Sequence, residues 1–554
     1  MTENERIAEL IFGQLDKTAD DYEIEYPPLN LSEGQRVTRI APSPTGYLHL
    51  GVLFTALINR RTADATNGMF YLRIEDTDAK REVEGGMADI INGLLHFGVN
   101  IDEGFVSPTS TKGNYAPYKQ SERGDIYHVF VKMLMEQGYA YPCFCAEEQL
   151  AKTREMQESN KERTGYYGKY AACRKLTYDE VKSKIDAGMP YVVRLRSNGD
   201  ESRRITFDDG IKGKIEMPEN DEDFVLLKSD GIPTYHFAHA VDDHLMRTTH
   251  VIRGDEWISS VPKHIQLFKL LGFKVPKYCH VSPIMKEENG SKRKLSKRKD
   301  PEAAVHFYAE QGYPADSVTE YLLTIANSDF EDWRRANPTA SNSEFKLNLK
   351  KMSVSGALFD IAKLNDVSKN VISKFTADRV TDELLKWAKE YDNEFYTLLS
   401  RDIEYTKNIF AIDRDVPKPR KDIAKWNEAK EYAAYFFDEL YNNNYELPEK
   451  INKTDAANIL EKYLEVYNPN DNKDEWFSRI KDICPSCGFC PDVKEYKKNP
   501  ELYKGHVGDA ATIIRVAVTG RTNSPDLCSI MSLLGKDKVS ERIIKAIDHF
   551  KEVQ

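Results

Sequence analysis

Short apolar runs and one amphipathic segment define the first recognisable structural pattern, between residues 37 and 74. Residues 37–40 and 69–74 are compact apolar runs of the kind that form strands. Between them, a proline-broken loop at 41–46 leads into residues 53–66, whose apolar positions recur at helical spacing until Gly68. This strand, loop, helix, strand order is typical of a parallel α/β sheet, in which ligands bind at the carboxyl ends of the strands.

The hydrophobic pattern changes twice along the rest of the chain. Residues 118–227 mix helices, short strands and clusters of Cys and Tyr, which indicates a domain inserted into the sheet, and the α/β pattern then returns. Beyond about residue 301 the pattern is helical, and the first 35 residues are predicted to be a short helix and a linker. The predicted elements are strands at 191–195, 224–228, 234–236 and 250–253, and helices at 260–271, 382–390, 425–441 and 456–466.

Composition and length exclude several classes of protein. At 554 residues the chain exceeds what one hydrophobic core supports, so several domains are expected. With 40% hydrophobic and 30% charged residues it is neither disordered nor membrane-spanning, and we expect a cytoplasmic protein without a membrane partner. The eight cysteines suggest reduced thiols or metal ligands. A net charge of −11 does not exclude nucleic acid, because a basic stripe on one face is sufficient for binding.

The strongest local motif is RIAPSPTGYLHLG at residues 39–51, located where the first strand turns into the first helix. Its prolines and glycines fix an unusual loop, and His49 lies beside a helix N-terminus, where the helix dipole favours phosphate. Gly51 leaves room for a flat ligand against the backbone. Nucleotide binding is the functional interpretation, and an ordinary loop with a surface histidine is the alternative.

A second motif, KRKLSKRKD at residues 292–300, concentrates positive charge. A mobile loop of this kind can close over a triphosphate and neutralise charge that builds up on leaving pyrophosphate. Taken alone, the same run is more often a solvated face, a nucleic-acid contact or a nuclear targeting segment.

Together the two motifs resemble the paired sequences of class I aminoacyl-tRNA synthetases, His-x-Gly-His and Lys-Met-Ser-Lys-Ser. Here they read HLGV from His49 and KLSKR from Lys294, so Val52 departs from the second histidine. The resemblance implies catalytic roles for His49, Lys294 and Lys297, with Lys297 as the main residue that stabilises the transition state.

The flanking segments are similar to glutamyl-tRNA synthetases of the bacterial type. They are PSPTG at 42–46, LRIEDTD at 72–78, YKQSER at 118–123, DFVLLKSDGIPTYHFA at 223–238, VDDH at 241–244 and RGDEW at 253–257. Glutaminyl relatives usually carry Pro-Glu-Pro-Asn-Gly in the first segment, which Ser43 and Thr45 do not match.

The resemblance implies which residues bind each substrate. An anionic side chain needs fixed guanidinium groups, because Arg pairs with a carboxylate in a bidentate fork. The expected glutamate-binding residues are Arg39, Ser43, Glu75, Tyr235 and Arg253, with Glu75 on the substrate ammonium and Tyr235 as a wall. His239 stands where the family generally has Asn. The expected ATP-binding residues are Ser43, His49, Gly51, Glu256, Trp257, Lys294 and Lys297.

Two cysteine clusters are candidate metal sites. Some glutamyl enzymes hold a structural Zn²⁺ through two close Cys, a Tyr and a last Cys, which the resemblance maps to Cys143, Cys145, Tyr170 and Cys173. The second cluster, CPSCGFC at 484–490, could be completed by His506 or Cys528, but reduced thiols are favoured there.

The fold expected from the resemblance is α/β: a Rossmann-like parallel-sheet catalytic domain with an inserted acceptor-binding domain, followed by an all-α anticodon-binding domain. The expected substrates are L-glutamate, ATP with Mg²⁺, and tRNA(Glu), whereas charging of tRNA(Gln) is left open, and we expect a monomer. The expected domains are an N-terminal extension (1–35), the two halves of the catalytic domain (36–117 and 228–290), the inserted domain (118–227), a stem-contact region (291–375) and the anticodon-binding domain (376–554).

Two other functions are compatible with parts of this pattern. One is a shortened relative that glutamylates a modified tRNA base, which the long C-terminal region argues against. The other is a tRNA-binding regulatory paralogue without catalysis, which is disfavoured because His49, Glu75, Lys297 and both arginines are present.

Overall fold

The computed structural model describes residues 1–296, 298–442 and 444–552, which form two compact units. The first comprises residues 1–307 and 319–360, and the second comprises residues 308–318 and 361–554. The strands are β1 (Val37–Ile40), β2 (Met69–Leu72), β3 (Glu103–Ser107), β4 (Ser110–Lys112), β5 (Ala140–Cys143), β6 (Val192–Leu195), β7 (Arg204–Asp209), β8 (Gly213–Pro218), β9 (Val225–Leu227), β10 (His250–Gly254), β11 (Lys277–Val281), β12 (Ile284–Glu288), β13 (Ser291–Lys294) and β14 (Ala357–Leu358).

Helices are distributed over both units. They are α1 (Glu3–Phe12), α2 (Ala19–Glu25), α3 (Leu50–Asp64), α4 (Gly86–His96), α5 (Gly124–Glu136), α6 (Glu147–Ser159), α7 (Tyr178–Asp186), α8 (Tyr235–Leu245), α9 (Val261–Leu270), α10 (His306–Gln311), α11 (Ala315–Ala326), α12 (Phe330–Ala336), α13 (Ile361–Ile372), α14 (Ala377–Tyr391), α15 (Asn393–Ser400), α16 (Ile403–Ala411), α17 (Ala429–Tyr432), α18 (Lys453–Val466), α19 (Lys473–Ile483), α20 (Val493–Tyr496), α21 (Val507–Thr519), α22 (Leu527–Leu534) and α23 (Lys536–Glu552). In the described part of the chain, none of them is both long enough and apolar enough to cross a bilayer.

A parallel sheet forms the centre of the first unit. β1 pairs with β2 and β2 with β3, all parallel, and β10 pairs in parallel with β11. The start of β10 lies beside β1, because the Thr249 N–H donates to the Val37 carbonyl at 3.1 Å. All four residues of β1 are buried, as expected for a strand covered on both faces. The carboxyl ends of β1 and β10 therefore open side by side, at the place where open α/β sheets bind ligands.

The inserted region carries its own small sheet and a hairpin. β5, β6 and β9 form an antiparallel sheet, and β7 and β8 pair along their full length as a two-stranded hairpin. β12 and β13 form a further hairpin, whose first strand also pairs with β14. The second strand of this hairpin, β13, contains the first residues of the basic motif.

The second unit contains helices and no strand among its described residues. Its core is one apolar cluster that runs from Val371 to Phe550, drawn from the helical segments α13–α23. The α/β architecture with a helical C-terminal part agrees with the predicted fold class.

Three predicted elements differ from the observed ones. Residues 234–236 are not a strand: Thr234 is the N-cap of α8, and the buried Phe237, Ala238, Val241 and Leu245 follow the helical period over a longer window than three residues. Residues 425–441 are not one helix but short turns around α17, because their large buried side chains do not keep a single face.

The N-terminal segment is more structured than predicted. It forms two helices, α1 and α2, each with a capping box, instead of one helix and a linker. Ile7, Ala8, Tyr22 and Tyr26 are buried in the core of the first unit. Polar residues surround these four buried positions, and other apolar residues of the segment, among them Leu10, Ile11 and Phe12, are only partly buried against the same core, so no strong apolar period predicts the packing.

Candidate active site

A cavity of about 610 Å³ opens at the carboxyl ends of β1 and β10. It brings together nearly every residue predicted to bind substrate, although these residues are up to 255 positions apart in the sequence, from Arg39 to Lys294. Its lining includes Arg39, Ser43, His49, Gly51, Glu75, Tyr235, Arg253, Glu256, Trp257 and Lys294. Lys297 lies outside the described residues, so its predicted role stays a prediction.

His49 caps the helix that follows the first motif. Its Nδ1 accepts a hydrogen bond from the Val52 N–H at 3.3 Å, so the imidazole is held at the N-terminus of α3. A Cβ on Gly51 would lie 3.1 Å from the imidazole ring, which explains why a glycine follows the histidine so closely. The helix N-terminus and the imidazole together provide a place for phosphate oxygens.

A buried network of charges holds the first pocket arginine and the predicted ammonium ligand. Arg39 Nε donates to both carboxylate oxygens of Asp243, at 3.2 and 3.1 Å. The fully buried Arg73 donates to Asp243 at 2.8 Å and to Glu75 at 2.9 Å. Burial alone would raise the pKa of Asp243, but the Arg39 and Arg73 guanidiniums outweigh it and hold that pKa well below its usual range. Burial raises the pKa of Glu75, against the opposing charge of Arg73.

Arg253, near the end of β10, has a different environment. Its guanidinium donates to the Tyr235 hydroxyl at 3.2 Å, to His264 Nδ1 at 3.1 Å and to His280 Nε2 at 3.2 Å. The Tyr235 ring packs against Trp257 with ring centroids 4.1 Å apart. An aromatic wall and a fixed guanidinium therefore face the same space.

Of the histidines behind this wall, His239 and His264 are buried and His236 is partly buried, and the pKa of each is lowered. Burial lowers the pKa of His236 to about 4 and that of His239 to about 3, and it holds the pKa of His264 well below 6.5. His239 Nδ1 lies 2.7 Å from Asp243 Oδ2, so the residue that replaces the family's usual Asn still contacts the charge network.

The basic motif is anchored by a residue that had no predicted role. Lys294 ends β13 and lines the cavity, and the buried Asp300 accepts hydrogen bonds from Arg293 at 2.6 and 2.8 Å and from the Ser296 N–H at 2.9 Å. The bond from Arg293 lowers the pKa of Asp300, although burial opposes it. Asp300 therefore connects Arg293 in β13 with Ser296 in the loop that follows this strand.

Sequence reasoning also assigned no role to Arg73, Asp243, Asp209, His264 and His280. A signal was present in the first two, because Arg73 interrupts an apolar strand and Asp243 interrupts the buried face of α8. Charged residues within otherwise buried elements are rarely left unpaired.

The first cysteine cluster converges, but with a different tyrosine. Ligand atoms of Cys143, Cys145 and Cys173 all lie within 4.8 Å of one another. The Tyr166 hydroxyl is 3.3 Å from the sulfur atoms of both Cys143 and Cys145. The predicted Tyr170 is not at the thiols, since its hydroxyl donates to Glu162 across a turn of the chain. The tyrosine that lies at the thiols is therefore Tyr166 and not the predicted Tyr170.

The second cysteine cluster has other partners. Cys490 Sγ donates to the Asp492 carbonyl at 3.1 Å, Cys528 Sγ to the Asp471 carbonyl at 3.5 Å, and His506 Nδ1 accepts from the Gly508 N–H at 3.0 Å. Within the described ranges, these groups do not converge as the first cluster does.

Comparison with known proteins places the chain in a family. The family described as "tRNA synthetases class I (E and Q), catalytic domain" matches residues 35–366, and the "Anticodon binding domain" family matches residues 494–547. The chain is 52% identical over 543 residues to a glutamate–tRNA ligase of Clostridium perfringens, covering 97% of this chain and 100% of that protein. It is 44% identical to one from Sorangium cellulosum, covering 97% and 99%.

Solved structures agree with this assignment. The fold is similar to that of a glutamate-tRNA synthetase from Elizabethkingia anophelis, with a TM-score of 0.72 at 28% identity, covering 93% of this chain and 100% of that one. A glutamate tRNA ligase from Elizabethkingia meningosepticum, in complex with its amino acid, gives 0.71 at 26% identity, covering 93% and 99%. Since both the full-length sequence similarity and the fold agree, the chain belongs to the glutamate–tRNA ligases, a family of class I aminoacyl-tRNA synthetases.

Proposed function

We propose that this chain activates L-glutamate with ATP and transfers the glutamyl group to the 3′ end of tRNA(Glu). The observation that carries the proposal is the cavity at the ends of β1 and β10, which combines the guanidiniums of Arg39 and Arg253 with the carboxylate of Glu75. Such a set complements an amino acid with an anionic side chain and a cationic ammonium group.

Each side chain in this pocket has a binding role. Arg253 and Arg39 hold the side-chain carboxylate of glutamate, Glu75 holds its ammonium group, Ser43 donates from the first motif, and Tyr235 closes one wall. The ammonium group would favour the ionised form of Glu75, which burial alone disfavours. A neutral amide in place of the carboxylate would leave a buried positive charge without compensation, which disfavours glutamine.

ATP lies along the two motifs in this proposal. His49 and the N-terminus of α3 receive phosphate oxygens, Gly51 lets the nucleotide approach the backbone, and Glu256 and Trp257 contact the nucleoside. Lys294 and Lys297 stabilise the charge on the leaving pyrophosphate. Mg²⁺ arrives with the nucleotide as part of that substrate and neutralises its phosphates.

The chemistry is an in-line displacement at the α-phosphorus. An oxygen of the α-carboxylate of glutamate forms a bond to this phosphorus while the bond to the bridging oxygen breaks, which gives glutamyl-adenylate and pyrophosphate. No protein nucleophile takes part, so catalysis depends on positioning and electrostatics. A ribose hydroxyl of the terminal tRNA adenosine then attacks the activated carbonyl and releases AMP.

We also propose a structural Zn²⁺ in the inserted region. Three sulfur atoms and the Tyr166 oxygen offer four ligands, the number that a tetrahedral structural site requires. The metal would cross-link β5 to the short turns before α7, far in sequence from the cavity residues.

Pyrophosphate exchange tests the proposed activity. The purified chain should exchange labelled pyrophosphate into ATP when glutamate is present, assayed with and without tRNA(Glu), and glutamine should not replace glutamate. Lys297→Ala should slow exchange roughly 100-fold, as expected for the loss of one transition-state charge, whereas the exposed neighbour Lys299→Ala should not. An absence of glutamate-dependent exchange in either assay would support the regulatory paralogue. Parallel aminoacylation of purified tRNA(Glu) and tRNA(Gln) decides which acceptors are used.

A further inference from the structure

The two arginines of the pocket are held by groups of different charge. Arg39 forms an ion pair with Asp243 at 3.1 Å, so its charge is largely compensated within the protein. Arg253 forms no ion pair with a carboxylate among the described residues, and its side-chain partners are Tyr235, His264 and His280. A guanidinium stays protonated, and therefore Arg253 presents an uncompensated positive charge to the cavity.

His280 connects Arg253 to a buried carboxylate. The two residues lie opposite each other on the paired strands β10 and β11. Because Arg253 Nε donates, His280 Nε2 must accept and carry no proton, so the ring proton is on Nδ1. That Nδ1 lies 2.6 Å from Asp209 Oδ2 and donates to it. Burial lowers the pKa of His280, although Asp209 opposes this, which is consistent with a neutral ring.

The orientation of the Asp209 carboxylate is fixed by the hairpin that carries it. Asp209 ends β7, is 3% exposed, and its Oδ1 accepts the main-chain N–H groups of Ile211 and Lys212, both at 2.9 Å. Only Oδ2 is therefore directed at the imidazole of His280. This arrangement keeps the ring proton of His280 on Nδ1 and leaves Nε2 as the acceptor for Arg253.

The turn of the β7–β8 hairpin is itself seated on β11. The Gly210 N–H donates to the Tyr278 carbonyl at 2.8 Å, and a Cβ on Gly210 would come within 2.3 Å of Cys279 Sγ. Lys212 Nζ reaches Asp255 at 3.1 Å and the Val354 carbonyl at 2.8 Å. Contacts on both sides of the turn thus keep Asp209 in place.

We propose that Asp209 and His280 are positioning residues for substrate specificity: they direct Arg253 at the side-chain carboxylate of glutamate through a neutral imidazole, without neutralising its charge. This inference rests on the proposed function of the cavity. A carboxylate paired directly with Arg253 would compete with the substrate, whereas an imidazole acceptor orients the guanidinium and leaves its charge for glutamate.

Asp209→Asn tests the proposal with little change in shape. The asparagine Oδ1 can keep the main-chain hydrogen bonds from Ile211, Lys212 and His280, which directs its NH₂ group at His280 Nδ1. Nδ1 must then accept, the ring proton moves to Nε2, and an N–H faces the N–H of Arg253. The KM for glutamate should rise roughly 10-fold, as for one lost hydrogen bond to a charged group, while the KM for ATP and kcat change less than about twofold.

Three further variants separate positioning from stability. His280→Gln keeps an acceptor oxygen for Arg253 and should retain most of the affinity for glutamate, and adding Asp209→Asn to it should cause little further loss. Asp208→Asn is the matched control, because Asp208 is the exposed neighbour on the same strand and pairs with Lys277. It should leave both KM values unchanged.

Arg253→Gln distinguishes failure of this inference from failure of the proposed function. If Arg253→Gln abolishes glutamate selectivity but Asp209→Asn leaves the KM for glutamate unchanged, the positioning role is wrong and the proposed site stands. If Arg253→Gln has no effect on glutamate, the assignment of the cavity and the inference both fail. Equal increases in the KM for ATP and for glutamate, with a lowered melting temperature, would indicate a merely structural role and overturn the proposal.

Discussion

At the scale of single residues, two tyrosines of the inserted region have different partners although they are four positions apart. The Tyr166 hydroxyl lies 3.3 Å from the sulfur atoms of both Cys143 and Cys145. Its oxygen also accepts a hydrogen bond from the main-chain N–H of Cys173 at 3.1 Å. Tyr170 is bonded to Glu162 and packs against Tyr167. Of the two tyrosines, only Tyr166 can act as a fourth ligand without rearrangement of the chain.

The proposed zinc site therefore predicts a difference between two matched variants. Tyr166→Phe should weaken zinc retention, measured by metal analysis after dialysis against a chelator, and Tyr170→Phe should retain zinc as the unchanged protein does. Loss of one of four ligands lowers affinity because the tetrahedral shell is then completed by water. A protein that contains no zinc after expression in zinc-supplemented medium would contradict the proposal.

At the scale of elements, α1 and α2 are integral parts of the first unit. Ile7 is 7% exposed and packs in the same core as Leu134 and Phe130 of α5, and Lys132 of α5 bonds Glu9 at 2.8 Å. Glu23 of α2 bonds Arg247 at 2.9 Å, just after α8, the helix that carries Tyr235. The N-terminal helices thus support α5 and α8, of which α8 carries the cavity residue Tyr235.

Substituting isoleucines in these two helices tests this support. Ile7→Ala should lower the free energy of unfolding by about 2 to 4 kcal/mol, because it removes buried methyl groups and leaves a cavity. Ile24→Ala is the control, since Ile24 is 78% exposed, and it should change stability by less than about 0.5 kcal/mol. The measurement is urea unfolding followed by fluorescence, and equal effects of the two variants would show that α1 does not contribute to the core.

At the scale of the whole molecule, several histidines of the first unit are buried or partly buried and have lowered pKa values. Burial lowers the pKa of His236 and of His250 to about 4, and that of His239 to about 3. The unfolded chain, with a histidine pKa near 6.5, binds more protons below this pH than the folded one. The folded state therefore has its full stability above about pH 6.5. It loses stability as the pH falls from there towards the pKa values of these histidines in the folded protein.

Acidification should consequently destabilise the unit that contains the cavity. Each such histidine contributes a loss of up to about 1.4 kcal/mol per pH unit below pH 6.5, so the melting temperature should fall by several degrees between pH 7 and pH 5.5. The transition to follow in calorimetry is the one whose melting temperature rises when ATP and glutamate are added. His250→Gln should flatten its dependence on pH, and a melting temperature that stays constant over this range would contradict the argument.

Much of the fold could be predicted from local patterns. The strands at 37–40 and 250–253, the helix after the first motif and the helical C-terminal part all follow from apolar periodicity, which reports on one element at a time. The motifs at 39–51 and 292–300, together with the flanking segments, were sufficient for the family. Most of the predicted binding residues line one cavity for the same reason, since the carboxyl ends of neighbouring parallel strands meet at one edge.

Only the tertiary structure decided which charges compensate one another. Arg39 and Asp243 are 204 positions apart, and Asp209 and His280 are 71 apart, so no local period connects them. The same holds for Tyr166 at the thiols and for the burial of α1 and α2. By itself the sequence determined the elements and the chemistry available at their ends. Which arginine keeps its charge for the substrate depends on the residues that the fold packs behind it, because burial makes a partner necessary without specifying where in the chain it lies.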